Sequence, residues 1–251
     1  MSGHSKWATI KHKKGKADKA RGKTFAKLSR QLEVAVREGG GPDPASNASL
    51  RTVVLKAKSA QMTNDAIDRA IKRGAGVQTG SAYESITYEG YAPGGVALLV
   101  DALTDNRNRT ASDVRLAFSK SGGSMAEPGA VGWQFSRRGV VLVGKNKTED
   151  DVMMVSLDHG AEDIVDDGEH WRVLCDPHTL FDLKASLEQA GMTVVSAEST
   201  MVSSMSVAVT DIADAKAILK IMDDLEENDD VQDVYSNFDI SDEIAAQLEA
   251  E

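Results

Sequence analysis

One cysteine, Cys175, stands in a chain of 251 residues. A single thiol closes no intrachain disulfide, and the five scattered histidines give it no zinc-ligand spacing. Its Val173-Leu174-Cys175-Asp176 setting reads as strand, so a buried structural thiol is expected. Aromatic residues make up only 5%, so the cores must be built from Val, Ile, Leu, Ala and Met. No apolar run approaches the roughly 20 residues that cross a bilayer, which excludes a helical membrane span. The N-terminus is basic but no apolar stretch follows it, which argues against a secretory signal. The basic segment runs on into a helical pattern, which argues against a transit peptide. A reducing, cytoplasmic setting is the expectation. Gly90-Tyr91-Ala92-Pro93-Gly94-Gly95 lacks the Gly-Lys-Ser/Thr ending of a phosphate loop and reads as a β-turn. No serine or cysteine nucleophile has a motif around it. Nothing in these patterns calls for a cofactor, a membrane or a small-molecule substrate.

What is there is charge, unevenly placed. Residues 1–80 hold 17 Lys+Arg against 6 Asp+Glu, whereas residues 81–251 hold 12 against 33. A whole-chain pI near 5.0 argues against a polyanion partner, but the segregation reverses that reading. A basic module on an acidic body binds phosphate through one end while the rest repels it.

The periodicity predicts an α+β protein of three domains. A basic arm and helical domain occupies residues 1–80. Its first helix, from about residue 21, carries Phe25, Leu28, Leu32 and Ala35 at helical spacing and stops at Gly39-Gly40-Gly41. Asn47 caps a second helix with Leu50, Val53, Val54 and Ala57 inward, and Thr63 or Asn64 caps a third with Ile67, Ala70 and Ile71 inward. Each is too short to be stable alone, so the three are expected to pack as one unit. Residues 77–82 read as a linker. Strands are expected at 85–91 and 96–103, a helix at 109–120 and a loop at 122–132. Residues 139–202 read as β-α-β-β-α-β, the ferredoxin-like order, with a hairpin turn at Asp166-Asp167-Gly168. A strand at 205–209, a helix at 212–225 and a strand at 231–234 follow. This last piece is too small to stand alone and supplies what residues 83–121 lack. The ferredoxin-like domain, 139–202, is therefore read as inserted in a discontinuous domain of 81–138 plus 203–240. Residues 241–251 read as an exposed, acidic helical tail.

The sharpest functional signal is the arm. His4, Lys6, Trp7, Lys11, His12, Lys13, Lys14, Lys16, Lys19, Arg21 and Lys23 mix cations with one indole. Lysines hold phosphate as point charges and read no sequence, and counterion release makes several such contacts strong at low salt. Trp7 is suited to stack on an unpaired base. Against this stands a plainer reading, in which Trp7 and Ile10 tuck the arm onto its own helices. A second candidate is Thr104-Asp105-Asn106-Arg107-Asn108-Arg109-Thr110, where a strand gives way to a helix. Its backbone N–H groups with Arg107 and Arg109 would suit one anion; equally, Asp105 or Asn106 caps the helix and the arginines pair with nearby carboxylates. Glu89, Asp101 and Asp105 are the acidic residues a Mg2+-dependent nuclease would need, without diagnostic spacing.

These residues resemble the YebC/PmpR family, which includes mitochondrial translational activators. The resemblance rests on Gly3-His4-Ser5-Lys6-Trp7, Ile10-Lys11-His12-Lys13, Arg21-Gly22-Lys23, Ala35-Val36-Arg37-Glu38-Gly39-Gly40 and Tyr88-Glu89-Gly90-Tyr91. Pro93-Gly94-Gly95-Val96-Ala97 and Ala102-Leu103-Thr104-Asp105-Asn106-Arg107-Asn108-Arg109-Thr110 extend it over nearly the whole chain. It implies the same three domains and a non-enzymatic regulator of gene expression, described in some members as a DNA-binding transcriptional regulator. Others look like ribosome-associated factors that bind ribosomal RNA and assist nascent-chain synthesis. Met62-Thr63-Asn64 departs from a Met-Pro turn usual in the family. Three functions are thus in view: a regulator on DNA, a translation factor on the ribosome and, more remotely, a metal-dependent nucleic-acid enzyme.

Overall fold

The computed structural model describes residues 17–76 and 83–249. The linker expected at 77–82 lies outside them. Three helices come first: α1 (Ala17–Glu38), α2 (Ala48–Ser59) and α3 (Asn64–Ala75). Leu28, Leu32, Ala35, Val36, Leu50, Ala57, Met62, Ile67 and Ala70 form their core; of the residues that helical spacing singles out, Phe25, Val53, Val54 and Ile71 are only partly buried against it, and Val36 and Met62 are members the spacing did not name. Asn47 joins two helices: its Nδ2 donates to Ala35 O (2.8 Å) and Gly41 O (2.9 Å), and its Oδ1 accepts from Leu50 N. Gly74 lets α3 close on α1, since a Cβ there would stand 2.9 Å from the Glu33 Cα.

The second domain begins with β1 (Glu84–Tyr91), β2 (Ala97–Thr104), α4 (Arg107–Lys120) and β3 (Ser124–Ala126). The chain then leaves along β4 (Phe135–Gly144) and passes α5 (Glu149–Leu157), β5 (Ala161–Asp166), β6 (His170–Cys175) and α6 (Leu180–Gln189). It returns along β7 (Val194–Ser203). Then follow β8 (Val207–Val209), α7 (Ile212–Glu226), β9 (Val231–Ser236), β10 (Phe238–Ile240) and α8 (Asp242–Glu249).

The sheets show how the domains interleave. One has the order β3-β1-β2-β9, so a strand from the end of the chain completes a sheet begun before the insertion. The other has the order β5-β6-β4-β7, all antiparallel, with α5 and α6 contributing to the core on one face. That is the ferredoxin-like arrangement. β4 and β7 pair from Phe135↔Ser203 to Val143↔Val194, so both strands run through positions 138–139 and 202–203 and form a two-stranded stalk to the inserted domain. Cys175 is buried in β6, and burial pushes its thiol pKa up.

Several elements differ from their sequence expectation. β4 begins at Phe135 rather than near 140, because Ser136, Arg137 and Arg138 hide a strand behind polar residues. The loop expected at 122–132 contains β3, whose three residues are too few for alternation to show. β8 pairs in parallel with β10 apart from the main sheet. The last segment is helical, but Ile244 and Leu248, one turn apart, are buried in the second domain's core; the tail is not wholly exposed.

The β3-β1-β2-β9 sheet has two different faces. One carries Leu98 and Val100 against Val114, Phe118, Ile218, Ile221, Met222 and Leu225 of α4 and α7. Gly90 is required there, since a Cβ would lie 2.6 Å from the Phe118 ring. The other carries Ala97, Leu99 and Tyr235 against Val131 and Phe135. The loop bearing Val131 is fixed by Glu89, whose carboxylate accepts from the N–H groups of Gly129 (2.7 Å), Val131 (2.6 Å) and Gly132 (2.7 Å). Burial alone would raise the Glu89 pKa; the three N–H groups together outweigh it and hold the carboxyl below its ordinary value.

Candidate nucleic-acid interface

His4, Lys6, Trp7, Lys11, His12, Lys13, Lys14 and Lys16 lie outside the described residues. Lys19 and Arg21 lie on the first turns of α1, and Lys23 follows one turn on. Lys23 Nζ donates to Glu227 O (2.9 Å), Lys27 Nζ to Glu226 O (2.8 Å) and Arg30 to Asp229 O (2.7 Å). The acceptors belong to the last turn of α7 and the turn after it. A helix C-terminus leaves its final carbonyls without intrahelical donors and carries partial negative charge. Cations of one helix thus cap another 199 to 204 residues away in sequence. Lys27 and Arg30 were not among the residues the arm's composition singles out. Their positions four and seven residues after Lys23 would have found them, because steps of four and then three put all three on one face.

The second candidate segment is held by Asp230. This buried carboxylate accepts from Arg109 (2.7 Å), Thr110 Oγ1 (2.8 Å) and Thr104 Oγ1 (3.2 Å), all through one oxygen. Arg30 stands 3.6 Å from its other oxygen. Burial on its own would raise the Asp230 pKa; Arg109 and the two hydroxyls overcome that and lower it. Arg109 also holds Asp105 at 2.8 Å, and its pairing with Asp230 and Asp105 raises its pKa. Asn106 caps α4 by accepting from Arg109 N (3.1 Å). The structure therefore contains the cap and the local pairing of the plainer reading. Arg107 is different: it is exposed, and its guanidinium stands 3.7 Å from Glu84. Arg30, Arg109, Asp105 and Asp230 line a cleft of about 390 Å³ between the helical unit and α4.

A third group sits on the opposite sheet face. Asp101 and Asp233 are directly paired across β2 and β9. Thr87 Oγ1 donates to Asp101 (2.8 Å), and Lys56 of α2 pairs with Asp233 at 2.9 Å. Burial first, then Asp233, pushes the Asp101 pKa up against Thr87, Arg137 and Lys56. The three carboxylates considered for Mg2+ are thus engaged separately: Glu89 by a loop, Asp101 by Thr87, Asp105 by Arg109. Among the described residues no group of three or more His, Cys, Asp or Glu is placed to hold a metal ion, and no helix is long and apolar enough to cross a membrane.

Arg51, Lys58, Arg69 and Lys72 are exposed on α2 and α3, so the helical unit presents cations beyond those docked on α7. A basic three-helix unit seated through polar contacts on an acidic α+β body, with a ferredoxin-like domain on a strand stalk, defines a modular three-domain protein. The chain belongs to the TACO1/YebC family. Residues 5–77 match the family's N-terminal domain and residues 83–238 its second and third domains. A relative from Beutenbergia cavernae is 54% identical over 252 residues, covering 99% of each chain. One from Salinispora arenicola is 54% identical over 250 residues, covering 99% of this chain and 100% of its own. Both carry the name probable transcriptional regulatory protein. The crystal structure of a conserved hypothetical protein from Aquifex aeolicus superimposes with a TM-score of 0.78 at 43% identity, covering 93% of this chain and 96% of that one.

Proposed function

We propose that this protein is a non-enzymatic regulator of gene expression that acts by binding nucleic acid through its N-terminal eighty residues. The observation that carries this is the charge segregation: 17 cations against 6 anions in residues 1–80, on a body that is strongly acidic. In this reading His4, Lys6, Trp7, Lys11, His12, Lys13, Lys14, Lys16, Lys19, Arg21 and Lys23 contact the polyanion. Arg107 adds a solvent-facing cation, and Arg109 positions the segment that presents it. The relatives' name, probable transcriptional regulatory protein, favours a role in transcription, for which DNA would be the polyanion.

One observation favours RNA of the ribosome instead. A helix that reads the major groove contacts bases with its first residues. α3, the second helix of the α2–α3 pair, has Asp65 in its first turn and Asp68 three residues later, both exposed. Carboxylates there oppose entry between phosphates. The lysine-rich arm with one indole suits a surface selected by shape. Crosslinking in cells followed by sequencing of the bound nucleic acid decides between promoter DNA and ribosomal RNA. Deleting residues 2–20 should abolish binding at physiological salt without unfolding the rest, and unchanged binding would exclude the arm. Arg107→Ala should weaken binding at low salt.

A further inference from the structure

We infer that Lys23, Lys27 and Arg30 form a second phosphate-binding row, which the C-terminal end of α7 occupies until a nucleic-acid backbone displaces it. This rests on the nucleic-acid reading above and adds a site and its control. The three side chains lie on one face of α1 and each donates to a main-chain oxygen at 2.7 to 2.9 Å. Those oxygens sit in the negative field of a helix C-terminus, reinforced by Asp223, Asp224, Glu226, Glu227 and Asp229. A row of oxygens in a negative field is also what a phosphodiester backbone offers. The contacts shown across this seam are polar: the three bonds above, Arg30 with Asp230 and Lys56 with Asp233. Contacts of this kind weaken with salt and yield to a competing polyanion, whereas an apolar seam would not. The row and the acidic turn therefore exclude one another's partners. A binding-competent state that is only partly populated lowers apparent affinity by its own fraction.

The test uses the full chain and a fluorescent single-stranded RNA of about 20 nucleotides, with duplex DNA of the same length in parallel. Glu226→Gln/Glu227→Gln/Asp229→Asn weakens the field on the row. Glu149→Gln/Glu169→Gln/Glu188→Gln removes the same charge from the inserted domain. The first triple variant should bind about fivefold tighter or better, and the second should change by less than twofold. Equal effects would overturn the latch, because general repulsion would then explain both. Lys23→Gln/Lys27→Gln/Arg30→Gln should bind several-fold weaker although its latch is released; unchanged or tighter binding would leave the row a docking device only. Spin labels at Lys58→Cys and Ser119→Cys read the seam without nucleic acid. Their separation should broaden with rising salt, and an unchanged distribution contradicts a releasable latch. Failure of every variant and of the natural chain to bind either probe would refute the nucleic-acid reading itself.

Discussion

Replacing Asp230 by Asn tests whether one buried carboxylate holds the start of α4 to the start of β9 and to α1. The substitution keeps the shape and one acceptor oxygen. If that oxygen takes the place facing Arg109, Thr110 and Thr104, the amide donor is turned toward Arg30, whose guanidinium stands 3.6 Å from the other carboxylate oxygen. Hydrogen bonds to a charged group are worth about 1.5–3 kcal/mol. Arg109 is 48% exposed, so solvent screens its pairing and the loss rests mainly on the buried carboxylate itself. The two threonine hydroxyls keep neutral bonds worth about 1 kcal/mol each. A net loss of about 2 kcal/mol is expected, measured by urea unfolding at neutral pH. The folded-state pKa of Asp230 is depressed below 3.8. Its contribution is therefore fully present above the unfolded value and is lost as pH falls through the folded one. The gap between the natural chain and Asp230→Asn should accordingly shrink toward zero as pH drops below about 4. A gap that stays constant from neutral pH to about pH 3, or no gap at neutral pH, would refute the assignment of the carboxylate as a charged hub.

Glu89→Gln should release the loop it holds, because one of three N–H groups 2.6 to 2.7 Å from the carboxylate would then face an amide donor; a loss of about 2 kcal/mol is expected, with faster hydrogen exchange at Val131 and Gly132. Asp101→Asn should stabilise the protein at neutral pH by about 1 kcal/mol, since it relieves the like charges facing across β2 and β9 while keeping an acceptor for Thr87. The Asp101 pKa is raised, so the folded state holds the extra proton and stability falls as pH rises through that window. The benefit of Asn should thus vanish in acid, and equal benefit at all pH values would contradict the mechanism. Gly74→Ala should cost about 1–3 kcal/mol in the helical unit by pushing α3 off the Glu33 backbone, read as lost helical signal in thermal melts.

The apolar faces were legible. Leu28, Leu32 and Ala35 recur at helical spacing, Asp166-Asp167-Gly168 marks a turn, and the alternation through residues 139–202 gives the ferredoxin-like order that the sheet β5-β6-β4-β7 contains. The short strands were not legible, because β3 and β10 have three residues each and owe their state to partners far along the chain. β4 was shortened for a related reason: its outer half pairs with β7 in a stalk with little apolar residue to advertise it. At the candidate interface, cation density located the arm, but docking of α1 on α7 was invisible, since carbonyl acceptors have no sequence signature. Asp230 illustrates the same limit. It ends the acidic stretch 223–230, and its role appears only when Thr104, Arg109 and Thr110, 120 to 126 residues earlier, are folded against it.

The most direct test of the central claim is the salt dependence of nucleic-acid affinity for the full chain and for the chain lacking residues 2–20. The deleted segment holds six lysines. If these neutralise phosphates, the slope of log affinity against log salt on single-stranded RNA should flatten by about four on removing them. Identical slopes, or no salt-sensitive binding to RNA, DNA or ribosomes by the full chain, would contradict the account.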